Sequence, residues 1–225
     1  MNILELDQLR FRWKGQDKDI LNIPTLEIAR GEHVFLRGES GSGKTTLLNI
    51  LAGILAPTSG SIRLLEQDMH NASSMSRDRF RADHMGVIFQ QFNLLPYLSV
   101  VENITLPCNF SERRREKSGD PKQSAIQLLD HLQLDESLRN KMVTELSVGQ
   151  QQRVAVARAL IGEPEIIIAD EPTSALDSST RDRFIELLFT KAEAQQSTII
   201  FVSHDPHIAE HFPRVIELSE INEAL

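Results

Sequence analysis

One cysteine, one tryptophan and one tyrosine stand among 225 residues. A single thiol, Cys108, excludes a disulfide framework and a cysteine metal cluster, and it reads as a small buried apolar residue. No apolar run approaches the roughly 20 residues that span a bilayer. The longest candidate, residues 47–56, holds Asn49 and Gly53 and reads as a buried helix. The opening Met1-Asn2-Ile3-Leu4-Glu5-Leu6-Asp7 has no basic start and no long apolar stretch, so no secretory signal is expected. Positive charge is also scarce: 24 Lys and Arg face 32 Asp and Glu, a formal net charge of −8. That balance disfavours a nucleic-acid partner. Apolar residues make up 40%, enough for a substantial core and too many for a disordered chain. The length fits one large domain or two small ones, and neither internal repeats nor coiled-coil heptads occur.

What the chain does have is Gly38-Glu39-Ser40-Gly41-Ser42-Gly43-Lys44-Thr45-Thr46, led into by His33-Val34-Phe35-Leu36 and followed by Leu47-Leu48-Asn49-Ile50-Leu51. That is a strand, a glycine loop and a helix opening at its end. Gly38 through Thr45 fits G-x-x-x-x-G-K-[ST], the phosphate-binding P-loop. The glycines let consecutive backbone N–H groups turn inward around an anion. The helix start adds free N–H groups and the positive end of its dipole. Lys44 supplies a mobile charge for the β- and γ-phosphates, and the Thr45 hydroxyl is placed to ligate Mg²⁺. The plainer reading, a glycine turn between strand and helix, does not account for all these residue types together.

Upstream, residues 3–13 alternate apolar and polar as a half-exposed strand does. Residues 20–28 contain Pro24 and read as an edge or irregular strand. Trp13 serves either for packing or as a flat surface for an adenine ring. Downstream, Ala56-Pro57-Thr58-Ser59-Gly60 reads as a turn, residues 61–65 as a short strand and residues 73–83 as a surface helix. Met85-Gly86-Val87-Ile88-Phe89 reads as a buried strand that delivers Gln90 and Gln91 into the loop Phe92-Asn93-Leu94-Leu95-Pro96-Tyr97. Ser99 with Glu102, and Ser147 with Gln150, form capping boxes that start helices at Val100 and Val148. Arg113-Arg114-Arg115-Glu116-Lys117 reads as a solvated helix end, with contact to lipid headgroups or a membrane partner as the alternative. Pro121 opens a further helix.

Ile166-Ile167-Ile168-Ala169 is apolar throughout, as in a strand of a parallel sheet covered on both faces. It ends in Asp170 and Glu171, the strand-plus-acid pattern of a Walker B site. A carboxylate there can hold Mg²⁺ through water, and the next can polarise an attacking water. The strand at residues 198–202 ends similarly at Ser203-His204-Asp205. Strands whose following loops carry Lys44, Gln90, Asp170, Glu171 and His204 describe an α/β sheet that binds ligand outside the carboxyl ends of its strands.

Leu146-Ser147-Val148-Gly149-Gln150-Gln151-Gln152-Arg153 resembles the signature of ATP-binding-cassette (ABC) ATPases. Pro172-Thr173-Ser174-Ala175-Leu176-Asp177 resembles that family's D-loop region, Gln90 its Q-loop glutamine, His204 its switch histidine and Trp13 its adenine-stacking aromatic. The match runs over essentially the whole chain. The run from Val87 to Gln90, leading to Asn93-Leu94-Leu95-Pro96, is similar to the ATPases of lipoprotein release and of macrolide or peptide efflux. The resemblance implies an α/β P-loop NTPase (RecA-like) core with a parallel sheet, an antiparallel β subdomain and a helical signature subdomain at about residues 91–162. All of these lie in one ABC ATPase domain, residues 1–225. It also implies ATP and Mg²⁺ as ligands, with Thr45, Gln90 and Asp170 toward the metal, Glu171 polarising water and His204 contacting the γ-phosphate.

The same resemblance implies a head-to-tail homodimer, or a pair with another ABC ATPase. Ser147, Val148, Gly149 and Gln150 of one subunit then face the ATP of the other, and Asp177 lies near the interface. An integral membrane permease is the further partner, which places the chain on the cytoplasmic face of the membrane. Export or lipoprotein release is the expected task; regulation of cell-envelope remodelling through a membrane partner is the alternative. ABC ATPases acting on DNA or ribosomes are disfavoured by the acidic balance and the absence of a coiled-coil insert. Val148 stands where the family usually has glycine. It falls at the first helical position, where φ is negative, and is expected to be tolerated.

Overall fold

The computed structural model describes residues 1–39, 41–173 and 178–224. In chain order the elements are β1 (Asn2–Phe11), β2 (Leu21–Ala29), β3 (His33–Arg37), α1 (Lys44–Leu51), β4 (Ser59–Leu64), β5 (Gln67–Asp68), α2 (Ser74–His84), β6 (Met85–Ile88) and α3 (Val100–Phe110). There follow α4 (Glu112–Ser118), α5 (Pro121–His131), α6 (Val148–Leu160), β7 (Ile166–Asp170), α7 (Ser178–Ala194), β8 (Thr198–Val202), α8 (Pro206–Ala209), β9 (Arg214–Glu217) and α9 (Leu218–Ile221). They group into two units, residues 1–81 with 198–225 and residues 82–197.

In the first unit the N-terminal alternation becomes an antiparallel sheet in the order β2-β1-β4-β5. Register pairs such as Leu4↔Ile28, Leu9↔Ile23 and Leu6↔Ile62 keep the buried side chains on one face. Pro24 lies in β2 at the sheet edge, where its missing N–H costs no ladder bond. The strand expected at residues 61–65 begins earlier, since Ser59 and Gly60 already belong to β4. A second set of strands is parallel, with β3 between β8 and β9. Val34, Phe35, Leu36 and residues 199–202 are buried there. The Phe35, Phe201 and Phe212 rings cluster with centroids 5.2–6.0 Å apart. The register Leu36↔Val202 sends Gly38 and His204 out at the same strand ends. The apolar run at residues 47–56 is not one buried helix. Helix α1 ends at Leu51 and Ile54 is exposed, because Gly53 takes φ +68° and turns the chain.

In the second unit β6 and β7 pair in parallel from Met85↔Ile166 to Ile88↔Ala169, so Gln90 and the pair Asp170-Glu171 leave the same end. Helix α3 packs on α4, α5 and α6. Both expected capping boxes form, Ser99 with Glu102 and Ser147 with Gln150. Gly86 lets β6 and α6 approach so closely that a Cβ would come within 2.2 Å of the Ala159 carbonyl oxygen. Cys108 is buried. Among the described residues no helix is long and apolar enough to cross a membrane.

The basic run departs from expectation. It forms its own helix, α4, in which Arg115, paired with Glu112, and Glu116 are exposed as a solvated helix end would be, whereas Arg114 is not. Arg114 is 3% exposed. It donates to the carbonyls of Met85 (3.0 Å), Ala159 (2.8 Å) and Ile161 (2.8 Å from Nε). Burial lowers its pKa to about 10, which leaves it charged near neutrality. Five N–H donors in a planar fork suit these diverging carbonyls as a lysine would not. Arg113 pairs with Glu165, as do Lys117 (3.6 Å) and His84 (3.0 Å). Burial alone would raise the Glu165 pKa. The His84 hydrogen bond and the charges of Lys117, His84 and Arg113 outweigh it and hold the group at about 2.

A carboxyl whose folded pKa is depressed stabilises the fold above its unfolded pKa of about 4.5. That contribution is lost as pH falls through the folded value. Glu165→Gln is therefore expected to cost about 1–2 kcal/mol near neutral pH, after allowance for partial solvent screening. Urea unfolding at a series of pH values should show wild type and variant converging between about pH 4.5 and pH 2. A constant difference across that range would contradict the assignment.

Candidate functional site

The glycine loop joins β3 to α1 as the sequence requires. Gly41 and Gly43 take φ +83° and +95°, a region that side chains rarely adopt. Gly43 is the N-cap of α1, with no side-chain cap and no acidic residue in the first turn. The helix therefore presents unsatisfied N–H groups and an unopposed dipole end to whatever lies before it. The Lys44 ammonium arches back over the loop and donates to the carbonyls of Gly38 and Glu39, the latter at 2.7 Å. Thr45 is exposed on the first turn.

Gly38, Glu39, Gly41, Ser42 and His204 border one cavity of about 640 Å³, together with Arg37, Pro206 and Glu217. Arg37 and Glu217 are ion-paired at 2.6 Å. His204 is exposed in the turn between β8 and α8, and Asp205 caps α8 through the His207 amide at 3.0 Å. A test of fit for an anion is available in Ser42. This residue is only 6% exposed, and its hydroxyl has no hydrogen-bond partner among the described residues. A buried hydroxyl left unpaired costs free energy unless a ligand satisfies it. The same loop presents backbone donors and a lysine, so the chemistry of the site fits a phosphate chain.

Trp13 does not border that cavity. It is 43% exposed and meets Phe11 edge-on, centroids 4.9 Å apart at 87°. The part of its surface left open to solvent is what a stacking surface needs. In the second unit Gln90 is exposed beyond β6, and Asp170 and Glu171 are half-buried at the end of β7. Glu171 takes φ +45°, a left-handed conformation that non-glycine residues seldom adopt. Ser147 caps α6: its hydroxyl accepts from the Gln150 amide at 3.3 Å, and Gln150 accepts from the Ser147 amide at 2.9 Å. Val148 keeps a negative φ, as expected, and is 51% exposed. Ser40 and Asp177 lie outside the described residues.

Among the described residues no cluster of three His, Cys, Asp or Glu side chains could hold a metal ion unaided. A hard cation that keeps several waters and sits on substrate phosphates needs no such cluster, as for Mg²⁺ arriving with a nucleotide. The residues missed in the sequence are the arginines. Arg114 and Arg158 bind backbone carbonyls far away in the chain, which no local pattern announces.

A strand–glycine loop–helix with parallel strands, a buried serine without a hydrogen-bond partner among the described residues and half-buried acids after a second strand defines a P-loop nucleotide-binding protein of α/β class. Comparison with known proteins narrows the class. The family described as ABC transporter matches residues 21–174, and the chain belongs to it, as an ATP-hydrolysing cassette that uses ATP and Mg²⁺. It is 41% identical over 220 residues to the uncharacterised ABC transporter ATP-binding protein YbbA of Escherichia coli K12, covering 96% of this chain and 94% of that one. It is 43% identical over 206 residues to the macrolide export ATP-binding/permease protein MacB of Campylobacter jejuni, covering 92% of this chain but 31% of that much longer protein. Among solved structures, the ATP-binding cassette MJ0796 of Methanocaldococcus jannaschii, a dimer in a post-hydrolysis state bound to ADP and Pi, superposes with a TM-score of 0.83 at 35% identity. That match covers 95% of this chain and 93% of that one.

Lys44→Ala is expected to weaken ATP binding by at least about tenfold. Ser42→Val, which leaves no hydroxyl for a phosphate to satisfy, is expected to weaken it less. Titration of a fluorescent ATP analogue checks both, and unchanged affinity in Lys44→Ala would overturn the phosphate-loop assignment.

Proposed function

We propose that this chain is the ATP-driven motor of a membrane exporter or lipoprotein-release system, working as a dimer against a permease. One observation carries the dimer: Ser147 and Val148, at the start of α6, are exposed. Val148 exposes half its surface, and a Cβ added to Gly149 would meet nothing within 4 Å. A glycine that its own fold does not require is explained by an outside partner that approaches its backbone closely. The partner is a second cassette, whose ATP receives the Ser147 hydroxyl and the Gly149 amide.

Within one turnover Lys44 and the loop amides hold the β- and γ-phosphates, Trp13 stacks on adenine and His204 contacts the γ-phosphate. Thr45, Gln90 and Asp170 hold Mg²⁺, which neutralises phosphate charge when bound. Glu171 accepts a proton from the attacking water. Asp177 links the two sites across the interface. ATP closes the dimer and hydrolysis reopens it, and that cycle moves the permease. The chain is assigned to the cytoplasmic face of the membrane as one ABC ATPase domain, with residues 91–162 as its helical subdomain. The permease contact is assigned to the loop at residues 92–97, where Tyr97 is 69% exposed and Leu94 and Leu95 are half-buried. Phe92 is buried and does not belong to that surface. Similarity to MacB favours export. A cell-envelope remodelling complex would use the same motor, and the partner recovered from membranes decides between them.

Glu171→Gln is expected to retain ATP, to lower hydrolysis by about a hundredfold or more and to accumulate dimer in ATP but not in ADP. Light scattering after size exclusion and a phosphate-release assay check this. Hydrolysis at the wild-type rate would remove Glu171 from the role of base.

A further inference from the structure

The loop that follows Gln90 is held in an unusual shape. Phe92 and Asn93 take φ +58° and +48°, two consecutive left-handed residues without a glycine between them. Asparagine tolerates this conformation; a buried phenylalanine adopts it only when its surroundings enforce it. The enforcement is visible. Arg158, in the last turn of α6, donates to the Phe92 carbonyl at 2.5 Å and to the Asn93 carbonyl at 2.7 Å. The two forked nitrogens of one guanidinium each take one carbonyl of the strained pair. Burial lowers the Arg158 pKa.

The other end of the same helix is the Ser147 capping box. At 13 residues, α6 is a rod of about 20 Å. Its C-terminal end is fixed a second time by Arg114, which binds Ala159, Ile161 and the Met85 carbonyl at the start of β6. Strand β6, the turn after Gln90 and helix α6 are thus joined at both ends of the strand. The turn and the C-terminal end of α6 are held together by these side-chain hydrogen bonds.

We propose that Arg158 is a positioning residue that makes the Gln90 turn and the Ser147 end of α6 one mechanical unit. Whatever engages Gln90 then also orients the helix tip offered to the second subunit. The proposal rests on the assignment of Gln90 to the phosphate end of the site. Arg158 itself touches no substrate; it acts through the two carbonyls.

The test is a double-mutant cycle on ATP hydrolysis with Arg158→Met and Gln90→Ala. Arg158→Met is expected to lower kcat about tenfold while KM for ATP stays within about twofold, because the phosphate loop is untouched. In the Gln90→Ala background the same change should alter kcat by less than about twofold, since the link then leads nowhere. A general loss of stability would reduce kcat by the same factor in both backgrounds, and that result overturns the proposal. Hydrogen exchange gives a second readout without turnover: amides at residues 90–95 should exchange faster in Arg158→Met while those of α1 do not, and unchanged exchange overturns the proposal. If Arg158→Met does not fold, Arg158→Lys replaces it, because a single ammonium cannot serve both carbonyls in the forked geometry. If Gln90→Ala alone leaves kcat at the wild-type value, the assignment of Gln90 fails and this proposal with it. An active Gln90 with equal Arg158→Met effects in both backgrounds overturns only the Arg158 link.

Discussion

The start of every α-helix leaves backbone N–H groups without acceptors, and this chain settles that debt in two different ways. Helices α3, α5 and α6 close their first turns with Ser99, Asp120 and Ser147. Helix α1 does not: its N-cap is Gly43, with no side-chain cap among the described residues and no acidic residue in its first turn. An uncapped helix at the end of a glycine loop is stable only at some cost, and a phosphate removes that cost. The buried Ser42 hydroxyl and the Lys44 ammonium, turned onto the loop's own carbonyls, repeat the arrangement in side-chain form. Much of what the chain does follows from this one place where the fold leaves donors for a ligand.

The contrast with α6 explains why a second subunit is part of the account. Ser147 satisfies its own helix and still stands exposed, with a hydroxyl proton to give. Its neighbour Val148 exposes half its surface, and a Cβ added to Gly149 would meet no described atom within 4 Å. One helix start is thus deficient in acceptors and the other is complete but turned outward. Similarity to a cassette solved as a dimer with ADP and Pi agrees with that division of labour. Rigidity behind the tip comes from buried arginines: Arg114 and Arg158 spend their donors on main-chain carbonyls, which fixes the ends of α6 and β6 more firmly than apolar contact alone would.

Local chemistry was legible in the amino-acid sequence and long-range chemistry was not. The glycine loop, both capping boxes, Pro24 at an edge and the apolar strand before Asp170 each depend on residues a few positions apart, and each stands where its pattern says. Arg113-Arg114-Arg115 misled, because a run of charge is ordinarily solvated, whereas Arg114 is buried by carbonyls as many as 47 residues away. Phe92 lies in the loop that follows Gln90 and Gln91. It is buried because a left-handed turn, stabilised by an arginine 66 residues on, folds it inward. Glu165, just before the apolar strand, is the centre of a cluster with His84, Arg113 and Lys117 that lie far from it in the chain. The roles of Gln90, Asp170, Glu171 and Ser147 come from family resemblance more than from geometry, since their partners are ATP and a second subunit.

The central claim, that the phosphate loop of one copy works with the Ser147 tip of another, is tested most directly by mixing two inactive variants. Lys44→Ala disables the loop and leaves the tip intact; Ser147→Arg does the reverse. Each variant alone has only mixed, broken sites. A mixed dimer pairs one intact loop with one intact tip, so ATP hydrolysis should reappear on mixing, well above the sum of the separate activities. No gain on mixing, with dimers shown to form, would contradict a site shared between two copies.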